Sequence, residues 1–309
     1  MSILKLKPQG KDYIWGGRRL IDEYGKEFEG DKLAETWELS CHFDGPSTIV
    51  NGTFAGKTLQ EYIISRGWHI LGTKARGKDQ FPLLIKFIDA KEDLSIQVHP
   101  TDEYALEHEG QYGKTEMWYV IDCEEDSYIY YGFSKEITKE EFEQRIHNKT
   151  LLEVLNKVAV KKGDVFFIEP GTLHAICGGS LIVEIQQNSN VTYRVYDYER
   201  TGKDGRKREL HIDKALDVTK CVPPKRNYEF GSHLAVCPYF TVDEVEAAGR
   251  FSGSVGEDSF VSILVLQGEG NIFADRDKVN IKKGDSIFME AGTGNYCVEG
   301  NVKMLVTTL

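Results

Sequence analysis

Residues 94–100 read Leu94-Ser95-Ile96-Gln97-Val98-His99-Pro100. Apolar and polar residues alternate, which is the period of a strand with two unlike faces. Leu94, Ile96 and Val98 share one face, and Ser95, Gln97 and His99 share the other. A hydroxyl, an amide and an imidazole in a row do not suit a core. They suit the wall of a polar cavity, with His99 as a candidate metal ligand. Pro100 ends the strand because it has no N–H to give to a ladder.

Outward from this row, most periodic runs are also strands. Phe81–Ile88 reads as a buried strand with one charge inside it, Lys86. Long lysines commonly snorkel outward, so a surface position and a cavity position are both open for it. Ala34–Ser40 and Glu116–Ile121 read as strands, and strands resume at Val158, Val165–Ile168 and Leu181–Gln187. Helix signals are few. Thr58 and Glu61 have capping-box spacing and open a short helix, and Thr101–Glu109 reads as a helical turn. Two further openings, Thr138 with Glu141 and Thr150 with Glu153, bracket apolar residues at helical spacing and predict an insert over about 137–157. Residues 200–209 (RTGKDGRKRE) read as a solvated hairpin tip. The class is all-β with a small helical insert, not alternating βα.

The totals narrow the function. The 309 residues suffice for two domains. A net charge of −11 argues against nucleic acid or an acidic membrane as partner. An anionic small substrate would need a local cluster of cations instead. The six cysteines are scattered without a CxxC pair, as in a reduced compartment. MSILKLKPQG lacks the apolar core of a signal peptide, and no apolar run reaches the roughly 18 residues of a membrane span. These features predict a cytoplasmic protein. Oligomeric state is left open.

The chain also contains a repeat. Residues 160–179 (VKKGDVFFIEPGTLHAICGG) and 281–300 (IKKGDSIFMEAGTGNYCVEG) match without gaps at nine of twenty positions, at an offset of 121. A second pairing sets Tyr119–Asp122 against Leu264–Gln267 at an offset of 145. The difference, 145 − 121 = 24, is about the length of the predicted insert. Two copies of one β unit are therefore expected: residues 1–228, carrying the insert, and residues 229–309. His174 in the first copy becomes Asn295 in the second, and Glu116 aligns with Val261. The metal-capable groups belong to the first copy alone.

His99, Glu116 and His174, with Gln97 nearby, form the strongest constellation. Imidazole and carboxylate suit Zn²⁺ or another first-row divalent ion, and three strong ligands leave positions open for water and substrate. Glu184, Gln186 and Asn188 alternate on a later strand, and Arg194 follows on the next, with Arg200 beyond it. An arginine facing a cavity fixes a phosphate or stabilises a developing oxyanion.

LSIQVHP, then Glu116 within KTEMWYV, then PGTLHAI, then a strand ending in Arg194 together resemble the type I phosphomannose isomerases, the short bacterial form in particular. WGG near the start and ETWELS fit the same family. The resemblance implies two cupin-type jelly-roll barrels, a bicupin, with the insert in the first barrel. It implies one zinc ion per chain, held by Gln97, His99, Glu116 and His174. It implies interconversion of mannose 6-phosphate and fructose 6-phosphate through an enediol-type intermediate. Arg194 and Glu184 would be catalytic, and Lys86 and Ser95 would contact the phosphosugar. Longer members carry a threonine-proline-lysine segment after the arginine; here Tyr198-Glu199-Arg200 stands there, so Arg200 is the expected replacement cation. A metal-dependent oxygenase and a non-catalytic sugar-phosphate-binding module are the competing classes.

Overall fold

The structure is a computed structural model that describes residues 3–202 and 205–309. Met1 and Ser2 of the N-terminal stretch, and Lys203 and Asp204 of the charged loop, lie outside the described residues. Thr201 and Lys207 form an isolated antiparallel bridge.

Three antiparallel sheets hold the chain. The first runs in the order Val165–Ile168, Glu116–Cys123, Ser180–Gln187, Leu83–Ala90, Glu35–Leu39, Gln9–Lys11. The second runs Tyr193–Tyr196, Ile96–Val98, His174–Ile176, Tyr128–Phe133, Leu155–Ala159. The third is built mainly from the long strands Thr241–Val255, Val261–Ala274 and Gly294–Thr308, with Ser286–Met289 and the N-terminal strand Leu4–Lys7 alongside.

The first sheet is sandwiched. Ile88, Trp118, Val120, Ile168 and Ile182 pack against Ile129, Tyr131 and Ile176 of the second sheet. Its opposite face, with Leu83, Ile85, Phe87, Met117 and Val183, packs into one cluster with Leu4, Leu6, Leu264, Phe288 and Leu305 of the third. Burial on both faces is why these strands read as near-continuous apolar runs. It also sends the charge of Lys86 inward, because the strand offers that side chain no solvent face.

The two repeat segments fold alike where they match. Val165–Ile168 and Ser286–Met289 are both strands, 121 apart. Gly163 and Gly284 both sit at φ +89°, a left-handed conformation that side chains disfavour. The Gly163 N–H donates to Val120 O and the Gly284 N–H to Val265 O, each at 2.8 Å, which reproduces the 145 offset.

The insert is shorter than the spacing predicts. Thr138 caps a helix, Lys139–His147, whose Phe142 and Ile146 are buried. Thr150 accepts no capping bond, and Leu151–Val154 is a single 3₁₀ turn. Leu155–Ala159 is already a strand, paired with Tyr128–Phe133. Pairing with a neighbour outweighs the local helix signal there. Among the described residues no helix is long and apolar enough to cross a membrane.

Candidate active site

Strand register builds the site. In the second sheet Gln97 lies between Arg194 and His174 across neighbouring strands. In the first, Glu184 lies between Lys86 and Trp118, and Gln186 lies opposite Glu116. These polar rows meet where the two sheets approach.

His99, Glu116 and His174 are fully buried or nearly so, and their ligand atoms all lie within 4.8 Å of one another. His99 Nδ1 lies 2.8 Å from Val191 O, and His174 Nδ1 lies 2.8 Å from Thr172 O. A carbonyl only accepts, so each Nδ1 carries the proton and each Nε2 presents a lone pair. His99 Nε2 lies 3.6 Å from Glu116 Oε2, and His174 Nε2 lies 3.3 Å from Glu116 Oε1. His174 Nε2 and Glu116 Oε1 are buried without a hydrogen-bond partner. Two electron-rich atoms left facing each other in a dry interior are costly unless a cation or a proton lies between them. The donor set therefore fits a first-row divalent ion.

Titration supports the same reading. Burial, then Lys114, depresses His99, and burial holds His174 down to about 4, so both imidazoles are neutral near pH 7. Burial and the charge of Glu184 push Glu116 up to about 7. Ion loading must then displace one proton, from Glu116. Affinity for a divalent ion is expected to rise by roughly tenfold per pH unit up to about pH 7 and then level off. Chelator-competition titrations at several pH values check this; a flat profile would remove Glu116 from the ligand set.

A cavity of about 230 Å³ opens beside these donors. Ser95, Gln97, Lys86, Glu184 and Arg194 all line it, which decides the position left open for Lys86. The Lys86 ammonium contacts Glu184 at 3.2 Å and Glu35 at 3.6 Å and lies over the Trp37 ring. Burial works against that charge, but Glu35 and Glu184 more than offset it. Burial also opposes ionisation of Glu184, yet Lys114 and Lys86 hold it down to about 2. Trp118 Nε1 donates to its other oxygen at 3.0 Å. Arg194 Nη1 donates to Glu209 O, while its buried Nε has no partner.

Arg200 does not join them. Its guanidinium donates to Asp93 O and to Asp197, and it does not line the cavity. Arg208, from the same loop, does, held by two hydrogen bonds to Asp197. The cation that this loop turns to the cavity is therefore Arg208 and not Arg200. The loop is not merely a solvated tip.

Lys114 is the other residue that sequence reading missed. Its ammonium contacts His99 Nε2 at 3.1 Å, Glu116 Oε2, and Glu184 Oε1 at 3.4 Å, and it lines the cavity. The signal was present: Lys114 is two residues before Glu116, and residues two apart along an extended chain share a face.

Comparison with known proteins agrees with this geometry. Residues 3–128 match the profile of the phosphomannose isomerase type I catalytic domain, and residues 231–309 match that of the mannose-6-phosphate isomerase cupin domain. Mannose-6-phosphate isomerase ManA of Bacillus subtilis is 39% identical over 99% of this chain and 98% of its own. The mannose-6-phosphate isomerase of Streptococcus mutans is 36% identical over 98% of this chain and 97% of its own. A crystal structure of the mannose 6-phosphate isomerase from Bacillus subtilis superposes over 100% of both chains with a TM-score of 0.92 at 35% identity. A zinc-bound mannose 6-phosphate isomerase shares the fold over 99% of both chains, with a TM-score of 0.80 at 17% identity. Identity of this order along the whole length, with the buried His99–Glu116–His174 cluster in place, makes the chain a member of the type I phosphomannose isomerase family.

Proposed function

We propose that the chain interconverts mannose 6-phosphate and fructose 6-phosphate, with one zinc ion held by His99, Glu116, His174 and Gln97. The observation that carries this reading is the pair of orphaned donor atoms, Glu116 Oε1 and His174 Nε2, beside a cavity lined by four cations. When bound, zinc supplies Lewis acidity to the substrate oxygens at C1 and C2. The other tasks fall to this chain's own groups. Proton traffic between C2 and C1 is assigned to the Lys114–Glu184 pair, beside the donor cluster. Ionised Glu184 also orients both lysines. Arg194, with its unpartnered Nε, stabilises the enediolate. Lys86, Ser95 and Arg208 grip the phosphate, which fixes the reacting carbons in place. Arg200 acts through Asp197, the carboxylate it shares with Arg208.

Architecturally we read a bicupin: a catalytic cupin barrel over residues 1–228 and a second over 229–309 without metal ligands. The strand Leu4–Lys7 is lent by the first to the sheet of the second. A cytoplasmic enzyme is the reading that fits this sequence.

A coupled assay with mannose 6-phosphate, before and after chelation and with zinc restored, tests the function. No turnover by the metal-loaded protein would defeat it. A second test separates the two arginines. Arg208→Ala is expected to raise KM by about tenfold or more, the loss of a hydrogen-bonded charge contact, while Arg200→Ala raises it less. Equal effects would remove the distinction.

A further inference from the structure

The sheet does not hold Lys114, because its strand begins only at Glu116. Three successive amides hold that stretch instead. Gly113 N–H donates to Asp102 Oδ1 at 2.9 Å, Lys114 N–H to Pro100 O at 3.1 Å, and Thr115 N–H to Gln187 Oε1 at 2.8 Å. The approach is close enough to need a bare backbone. A Cβ on Gly113 would lie 2.4 Å from the Thr101 carbonyl carbon and 2.5 Å from Asp102 N.

The two side chains that accept these amides are joined to each other. Gln187 Nε2 donates to Asp102 Oδ1 at 2.8 Å, which turns its own oxygen toward Thr115. Asp102 Oδ2 accepts from the Tyr239 hydroxyl at 2.8 Å. With donors on both oxygens, this carboxylate cannot turn without breaking a bond. Tyr239 comes from outside the two sheets that build the site. It lies within residues 231–309, which match the separate cupin profile, at the tip of the hairpin joining Ala235–Val236 to Thr241–Val255. Cys237 N–H donates to Phe240 O at 2.9 Å across that tip, and fully buried Phe240 anchors it. The hydroxyl is therefore presented from a fixed base.

We propose that Tyr239 is a positioning residue for the isomerisation, acting on Lys114 through Asp102, Gln187 and the backbone of residues 113–115. This rests on the proton-transfer role proposed above for Lys114. The Lys114 ammonium has three partners to meet at once: His99 Nε2 at 3.1 Å, Glu116 Oε2, and Glu184 Oε1 at 3.4 Å. Displacing a reacting group by about 1 Å costs on the order of a hundredfold in rate. Two of the three bonds that set the Lys114 backbone end on Asp102 and Gln187, and the tyrosine sets Asp102. The part of the chain without metal ligands thus contributes to the rate at the part that has them.

Tyr239→Phe removes one oxygen and keeps the ring. It is expected to lower kcat about tenfold, the scale of one hydrogen bond to a carboxylate. KM should stay within about twofold, because the groups assigned to the phosphate take no part in this relay. Zinc content should match that of the unmodified protein. In a Lys114→Met background the same substitution should cost nothing further, since the group it positions is gone. Losses that multiply in the double variant overturn the inference, and so does a fall in zinc content that accounts for the rate. Amide hydrogen exchange gives a readout without turnover. Exchange should quicken at Gly113 and Thr115 in Tyr239→Phe and stay unchanged at Val120 and Ile182 within the sheet. No change at 113 and 115, or an equal rise at all four, overturns the inference. An unmodified, metal-loaded protein without turnover would defeat the isomerase reading instead, and the exchange pattern would still decide the relay.

Discussion

Replacing His174 by asparagine is expected to leave a folded protein that retains no metal and has lost about a thousandfold or more in kcat/KM. Asparagine is the residue that the second copy carries at the matching position, 295. It is smaller than histidine and brings no new charge into a site that is 0% exposed. What it lacks is a ring nitrogen directed at Glu116 with its lone pair free. In the unmodified protein that nitrogen is fixed by the bond from Nδ1–H to Thr172 O. Elemental analysis of the purified variant and a thermal melt separate loss of metal from loss of fold. Normal turnover in a folded, metal-free His174→Asn protein would end the proposed role of this cluster.

Lys114→Met is expected to lower kcat by about a hundredfold to a thousandfold, the scale of losing one positioned proton-transfer group. KM should change little, because Lys86, Ser95 and Arg208 remain to grip the phosphate. Methionine keeps much of the length of lysine but leaves Glu116 without its ammonium partner. Stripped of metal, the variant should therefore hold Glu116 protonated at neutral pH, because burial and Glu184 already push that carboxyl up to about 7 with Lys114 in place. Metal should displace that proton and restore none of the rate. Recovery of the rate on metal loading would reduce Lys114 to a structural part.

The metal cluster was legible because alternation and repetition both bear on it. Ser95, Gln97 and His99 share a face by period alone, and the second copy marks His174 and Glu116 by lacking them. Position 114 was not picked out, although it shares a face with Glu116, because a lysine beside a strand usually extends into solvent. The exchange of Arg200 for Arg208 has a different cause. Tyr198 and Glu199 lie at φ +55° and +59°, and the Arg200 N–H donates to Asp197 O at 3.1 Å, so the chain reverses there. A reversal with two left-handed residues is usually signalled by Asn-Gly or Asp-Gly. Tyr-Glu gives no such signal, and the directions of the side chains beyond it could not be followed. The place of Leu4–Lys7 was equally unreadable, because its partner strand lies more than two hundred residues away.

That last pairing has a consequence for biosynthesis. The ribosome makes Leu4, Lys5 and Leu6 about 280 residues before Ser286–Met289, a strand they join, has emerged. Until then, Leu4–Lys7 has only Thr48–Ile49 beside it, through Leu6 opposite Ile49 and Lys7 opposite Thr48. Closure of the third sheet must therefore wait for residues 286–289. A message truncated shortly before codon 286 would yield a chain in which Leu4–Lys7 keeps one of its two neighbours.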